Sequence, residues 1–229
     1  VLDGEGATRR MLTGGKIGAP RGPVSDGETL YAVEAAGQLL HAIRLDDGSV
    51  HSLRDAAGTT DASSATLMVT PDTCAIDGAL FYVSNSGRDS VLVFDKHSLE
   101  LLATLGKEGG GPGRATGEFN RPQGLAARRS MLWVCDAGNC RIQAFRCSGR
   151  DAAAAAAASP HAAPTRCDCA GSGGGGGGGG VPEFTVVHCF GGHGGQPGRF
   201  NEPRGVAVCE SVHGERLVPP VLIRYGYHF

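Results

Sequence analysis

The stretch "FNRPQG", Phe119 to Gly124, returns at Phe200 to Gly205 as "FNEPRG". Neither copy holds an obvious nucleophile or a set of metal ligands. Six nearly repeated residues without chemistry of their own point to a structural unit that recurs. Between the copies lies a compositionally odd segment, residues 148–182, with seven consecutive alanines (Ala152 to Ala158) and eight consecutive glycines (Gly173 to Gly180). Ordering glycine-rich chain is entropically expensive, and seven alanines are too few for a helix to hold alone. The segment therefore reads as a disordered Ala/Gly-rich insertion. Setting it aside leaves a spacing of about 45 residues, the length of a propeller blade.

Other parts of the chain keep this rhythm. "LFYVSNSGRDSVLVF", Leu80 to Phe94, matches "LWVCDAGNCRIQAF", Leu132 to Phe145, when Val83 is laid on Val134. Asn85 then meets Asp136, Gly87 meets Gly138, Val91 meets Ile142 and Phe94 meets Phe145. A weaker copy starts at Leu30, with Val33 and Gly37 in the corresponding places. Each copy is an apolar run, a polar turn with glycine and a second apolar run, which spells two strands joined tightly. "GSVHSL", "LELLATLG" and "FTVVHCFG" supply a further strand, and "PQGLA" and "PRGVAV" the one before each pair. Proline suits a strand start, and the glycine after it permits close backbone approach. Four short antiparallel strands per unit, repeated, predict an all-β fold built radially, an incomplete β-propeller.

The third unit identifies a resemblance. "GEFNRPQGLA" carries Gly117, Phe119, Pro122, Gly124 and Ala126, and "WVCDAGNCRIQAF" carries Val134, Asp136, Asn139, Arg141, Ile142, Gln143 and Phe145. These residues resemble the NHL-repeat pattern, G-x-F-x-x-P-x-G-[VI]-A followed by V-x-D and N-x-R-[IV]-Q-x-F. The fourth unit, with Phe200, Pro203 and Gly205, matches the first half. The first two units lack the Phe-x-x-Pro and Asn-x-Arg elements. The resemblance implies a β-propeller of NHL type used as a rigid platform for protein or RNA. The expected organisation is blades one to three in residues 1–147, the insertion in 148–182, and the end of the third blade with the start of a truncated fourth in 183–229.

Composition narrows the functional classes. The 229 residues are 41% hydrophobic and 19% charged, with a net charge of −2. Residues 107–150 hold eight Lys and Arg against three Asp and Glu, whereas residues 1–106 hold eight against fourteen. Such asymmetry can steer an acidic partner. No run of 18 apolar residues is present, so a helical membrane span is not expected. No secretory leader is visible either, which favours the cytoplasm, although the first residue is Val. The eight cysteines are irregularly spaced, and neither Cys135 with Cys140 nor Cys167 with Cys169 fits a compact zinc knuckle. No metal or cofactor is expected.

Asp136 and Arg141 lie five apart across a hairpin, close enough to tie its strands together. Phe119, Phe145 and Phe200 read as wedges between blades, and Trp133 as either core or face. One loop face is expected to carry Lys107, Arg114, Arg121, Asn139, Arg141, His193 and Arg199, the candidate partner-binding set. Arg128, Arg129 and Arg146 fall on the other. The glycine-rich loop Gly106 to Phe119 lacks the P-loop order, and no G-x-S-x-G elbow is present. No catalytic residue is singled out. The chain reads as a non-catalytic interaction module for a protein partner. RNA binding through the basic loop face and a metal-dependent propeller hydrolase or lyase are the alternatives, and a small-molecule ligand is not expected.

Overall fold

A computed structural model of the chain describes residues 17–53, 67–149, 181–208 and 221–225. The expected insertion falls almost wholly outside them. The first sheet runs in order through β1 (Pro20–Ser25), β2 (Thr29–Glu34), β3 (Leu39–Arg44) and β4 (Val50–Leu53). The second is β5 (Pro71–Asp77), β6 (Leu80–Asn85), β7 (Ser90–Asp95) and β8 (Leu101–Gly106). The third is β9 (Pro122–Arg128), β10 (Met131–Asp136), β11 (Arg141–Ser148) and β12 (Glu183–Gly191). A fourth has two strands, β13 (Pro203–Val208) and β14 (Val221–Tyr225). All pairings are antiparallel. The first strands β1, β5, β9 and β13 stand side by side in that order, so the sheets fan out from a common axis. Among the described residues this is an all-β incomplete β-propeller, with three four-stranded blades and two strands of a fourth.

Alternation along each strand gives every inner blade two apolar faces, and three cores follow. Tyr31, Val33 and Leu40 pack on Phe81, Val83, Leu92 and Phe94 between blades one and two. Leu80, Tyr82, Val91 and Val93 meet Leu132, Val134 and Phe145 between blades two and three. Trp133, Cys135, Ile142 and Ala144 face Val206 and Val208 across the next gap. The three phenylalanines are indeed wedges. Phe119 is fully buried with its ring 5.7 Å from that of Phe145, and Phe200 closes the last core against Phe190 at 6.2 Å. Trp133 belongs to the core at 6% exposure.

The Pro-x-Gly signature sits where blades come closest. A methyl group on Gly124 would lie 2.6 Å from the Arg204 carbonyl oxygen and 2.8 Å from Gly205 Cα. One on Gly22, whose φ is +49°, would lie 2.5 Å from Thr73 Cα. Hydrogen at Cα is the largest substituent the axis admits there. Before Pro71, Pro122 and Pro203, the residues Thr70, Arg121 and Glu202 take positive φ of 51°, 48° and 46°. The same backbone turn is thus built in three blades from three unrelated side chains.

One alignment needs correcting. The counterpart of Val83 and Val134 in the first blade is Ala32, not Val33, and the glycine match at Gly37 shifts with it. Tyr31 and Val33 face the second blade, whereas Phe81 and Val83 face the preceding one. The tail also contributes: β14 pairs with β13 as the second strand of the fourth sheet. Outer strands β8 and β12 each carry one unpaired residue, Leu102 and Val187, at a bulge. Beyond Ser148, which is paired with Glu183, the β11–β12 hairpin opens into the stretch outside the described residues.

Candidate functional site

The loops at one end of the sheets are organised around Asp136, which is completely buried. Its Oδ2 accepts the Arg141 Nε–H at 2.6 Å, and Asn139 and Gln143 donate to the same oxygen at 2.9 and 3.2 Å. Its Oδ1 accepts the Asn120 N–H at 2.7 Å and a second Asn139 contact at 3.0 Å. A buried carboxylate is tolerable when it is paired and its lone pairs are filled, as here. The remaining donors of these side chains turn to the loop between β8 and β9. Arg141 reaches the carbonyl oxygens of Arg114, Ala115 and Glu118 at 2.7 to 2.8 Å. Asn139 takes that of Gly113 at 2.7 Å, and Gln143 that of Glu118 at 2.8 Å. The glycine-rich loop is therefore held from below by fixed side chains.

The cap at Asp136 is repeated with different chemistry in each blade. Asn85 Oδ1 accepts the Val69 N–H at 2.7 Å, and Glu34 Oε2 accepts the Gly18 N–H at 3.1 Å. Gly87 and Gly138 donate to the carbonyls of Val69 and Asn120 at 2.9 and 2.8 Å. At the place of Gln143 the first blade has His41, whose ring bonds Glu34. Two positions of the motif are thus filled in the first blade by other side chains, Glu34 where the third has Asp136 and His41 where it has Gln143.

All seven residues of the candidate binding set lie at this end of the sheets. Asn139 and Arg141 are largely withdrawn from solvent, Arg141 at 14% side-chain exposure, with their donors given to Asp136 and the loop. They shape the surface rather than forming it. Lys107, Arg114, Arg121, His193 and Arg199 are exposed. Arg121 joins blades: its backbone N–H meets Asp89 at 2.7 Å and its guanidinium meets Glu202 at 3.0 Å. Glu202 in turn accepts from Arg204 at 3.3 Å, and Arg21 meets Asp72 at 2.9 Å between blades one and two. Sequence reasoning missed the inter-blade pairs of Arg121 with Glu202 and Arg21 with Asp72, because their partners come from different repeats.

The opposite end is charged as well. Lys96 bridges to Asp26 at 2.9 Å, and the Ser130 N–H meets Asp77 at 2.6 Å. Burial is the main cause that raises the Asp77 pKa, opposed by the amides of Ser130 and Arg129. Between the two ends, the first strands line an open cavity of about 720 Å³ with small and apolar residues such as Ile76, Leu125, Ala126 and Val206, and with the charged Asp26, Asp77, Lys96 and Arg128. Among the described residues no three His, Cys, Asp or Glu side chains are grouped so as to hold a metal ion.

No family model matches the chain, and no curated protein matches it. Among solved structures, hydrazine synthase of Kuenenia stuttgartiensis aligns at a TM-score of 0.43 and 17% identity, over 62% of this chain and 36% of that one. A streptogramin B lyase aligns at 0.45 and 10% identity, over 82% and 44%. A nidogen/laminin complex chain aligns at 0.35 and 15% identity, over 57% and 60%. The chain thus spans less than two thirds of each. The fold stands on the sheet order and inner-strand contacts described above, independently of these likenesses.

Proposed function

We propose that the chain is an NHL-type β-propeller module whose loop face, residues 107–121 and 192–202, is non-catalytic and binds a protein partner. The observation that carries this reading is the Arg141 guanidinium seated on the carbonyls of residues 114, 115 and 118. A loop fixed before encounter loses little conformational freedom on binding, which favours recognition. The exposed side chains it presents include Lys107 and Arg114, next to Arg121, Arg199 and His193 from the following turn. Their charge suits an acidic segment.

Fluorescence anisotropy with an acidic peptide (alternating Glu and Gly) and with a uridine 12-mer tests the reading. The expected result is binding of the peptide, weakened at least tenfold by Lys107→Glu with Arg114→Glu. RNA binding would show itself by preference for the 12-mer and a salt slope of about 0.7 per phosphate contacted. Failure of both probes, or indifference of peptide binding to the charge reversals, overturns the assignment of this face.

A further inference from the structure

The first blade contains a hydrogen-bonded chain that its scaffold role only half explains. His41 is 3% exposed on β3. Its Nε2 lies 3.2 Å from Glu34 Oε2, and its Nδ1 lies 2.8 Å from Ser52 Oγ. Ser52 is directly across the strand pair from His41, on the four-residue outer strand β4, and is exposed to solvent. An ionised carboxylate can only accept, so Nε2 carries a proton, and in the neutral form of the ring the Nδ1 lone pair is left to receive the Ser52 hydroxyl. A hydroxyl bonded to a neutral imidazole, with the imidazole held by a carboxylate, is the arrangement that activates a serine nucleophile.

The scaffold accounts for one side of this chain. Glu34 caps the Gly18 N–H as Asp136 caps that of Asn120, and His41 bonds Glu34 as Gln143 bonds Asp136. A glutamine would serve that purpose. It would not place a base on an exposed hydroxyl. The cross-strand pairs at the same place in the other blades are Leu92 with Thr104 and Gln143 with Cys189. Neither pair contains a base, so among the three four-stranded blades described only the first combines the two groups.

We propose that Ser52 is an acyl-accepting nucleophile, with His41 as its general base and Glu34 as the residue that positions His41. The substrate class is a carboxylic ester. Ser52 Oγ forms a bond to the ester carbonyl carbon as its proton passes to His41 Nδ1. The C–O bond to the alcohol then breaks, and the alcohol leaves with the proton from Nδ1. The product is an ester of Ser52. This goes beyond the binding reading and does not rest on it.

A fluorophosphonate probe reads the nucleophile directly, forming an O–P bond while fluoride leaves. Ser98 is the internal reference: it is exposed, and its hydroxyl bonds the Asp95 carboxylate, with no histidine in the bond. With peptide mapping by mass spectrometry, Ser52 is expected to label at least about 100-fold faster than Ser98, the lower range of general-base assistance. His41→Gln keeps a donor for Glu34 and removes the base, and should bring Ser52 to the Ser98 rate with the unfolding temperature unchanged. p-Nitrophenyl acetate should leave an acetyl group on the Ser52 peptide. Equal labelling of Ser52 and Ser98, or an unaltered Ser52 rate in His41→Gln, overturns the proposal. Should His41→Gln fail to fold, the Ser52 to Ser98 ratio in the unaltered protein decides alone.

Discussion

Arg141 and Asp136 meet at 2.6 Å at the turn between β10 and β11, and the Asp136 side chain has no exposure at all. The pair is the root of a network that reaches, through Arg141 itself and through Asn139 and Gln143, the carbonyls of Gly113, Arg114, Ala115 and Glu118 in the preceding loop. Asp136→Ala would leave the guanidinium and two amides aimed at an empty place. The expected cost is about 3–5 kcal/mol, the range for a buried pair broken on one side. Chemical denaturation measures it. Arg141→Lys keeps the charge but cannot span three carbonyls, and should loosen the loop, seen as faster amide exchange, at a smaller cost in stability.

Gly124 tests the close approach of blades at the axis. Gly124→Ala pushes a methyl group against the backbone of Arg204 and Gly205, and overpacking of this kind costs about 1–3 kcal/mol. Gly195→Ala, where an added methyl meets nothing within 4 Å, is the control and should fall within about 0.5 kcal/mol of the parent. Thermal unfolding of the two variants separates them.

Removing a wedge opens a cavity between two blades. Phe119→Ala is expected to destabilise by about 3–5 kcal/mol, because the ring is fully buried between blades two and three. A denaturant titration of the variant gives the value, and a loss below about 1 kcal/mol would contradict the wedge role.

Acid should weaken the junction of blades one and two. Burial by itself raises the Asp26 pKa, but the amides of Thr29 and Glu28 and the Lys96 ammonium outweigh it and lower the value from 3.8 to about 2. A depressed folded pKa contributes stability that is fully present above the unfolded value and lost as pH falls through the folded one. The stability difference between the parent and Asp26→Asn should therefore shrink as pH drops from 4 to 2. Urea midpoints across that window report it.

Thiol reactivity should divide by position. Burial pushes the Cys74 and Cys135 thiols up to about 12, so both stay protonated at pH 8. Cys189 is exposed. Iodoacetamide with peptide mapping should modify Cys189 and spare Cys74 and Cys135 until the protein is unfolded.

Strands and repeats were legible because they depend on local signals. A period of two, the Pro-x-Gly starts and the glycine turns are written along the chain, and so were the phenylalanine wedges. The Asp136 to Arg141 contact was legible because a hairpin turn joins its partners. The first blade's register was misread by one residue because Val33 looks like Val83 and Val134. The marker that fixes it is Glu34, which shares a task with Asn85 and Asp136 but not a side-chain type. Ser52 could not be connected with His41 and Glu34 by inspection, since their meeting depends on the pairing of β3 with β4. Nor could Arg141 and Asn139 be separated from the exposed basic residues, because their burial is set by a loop that folds back over them.

Ser148 and Glu183, distant in the chain, stand opposite one another as the last pair of the β11–β12 ladder. The sheet is thus complete before the intervening sequence begins, and whatever lies between those two residues enters and leaves through one fixed gateway. Loop closure depends only logarithmically on length, about 0.6 kcal/mol per doubling. By that dependence alone, a turn of about four residues in place of 150–180 is worth about 2 kcal/mol, three halvings of the loop length. The same gateway makes this hairpin a port for grafting, where a reporter or a second domain can be spliced into the blade at the end remote from the basic loops.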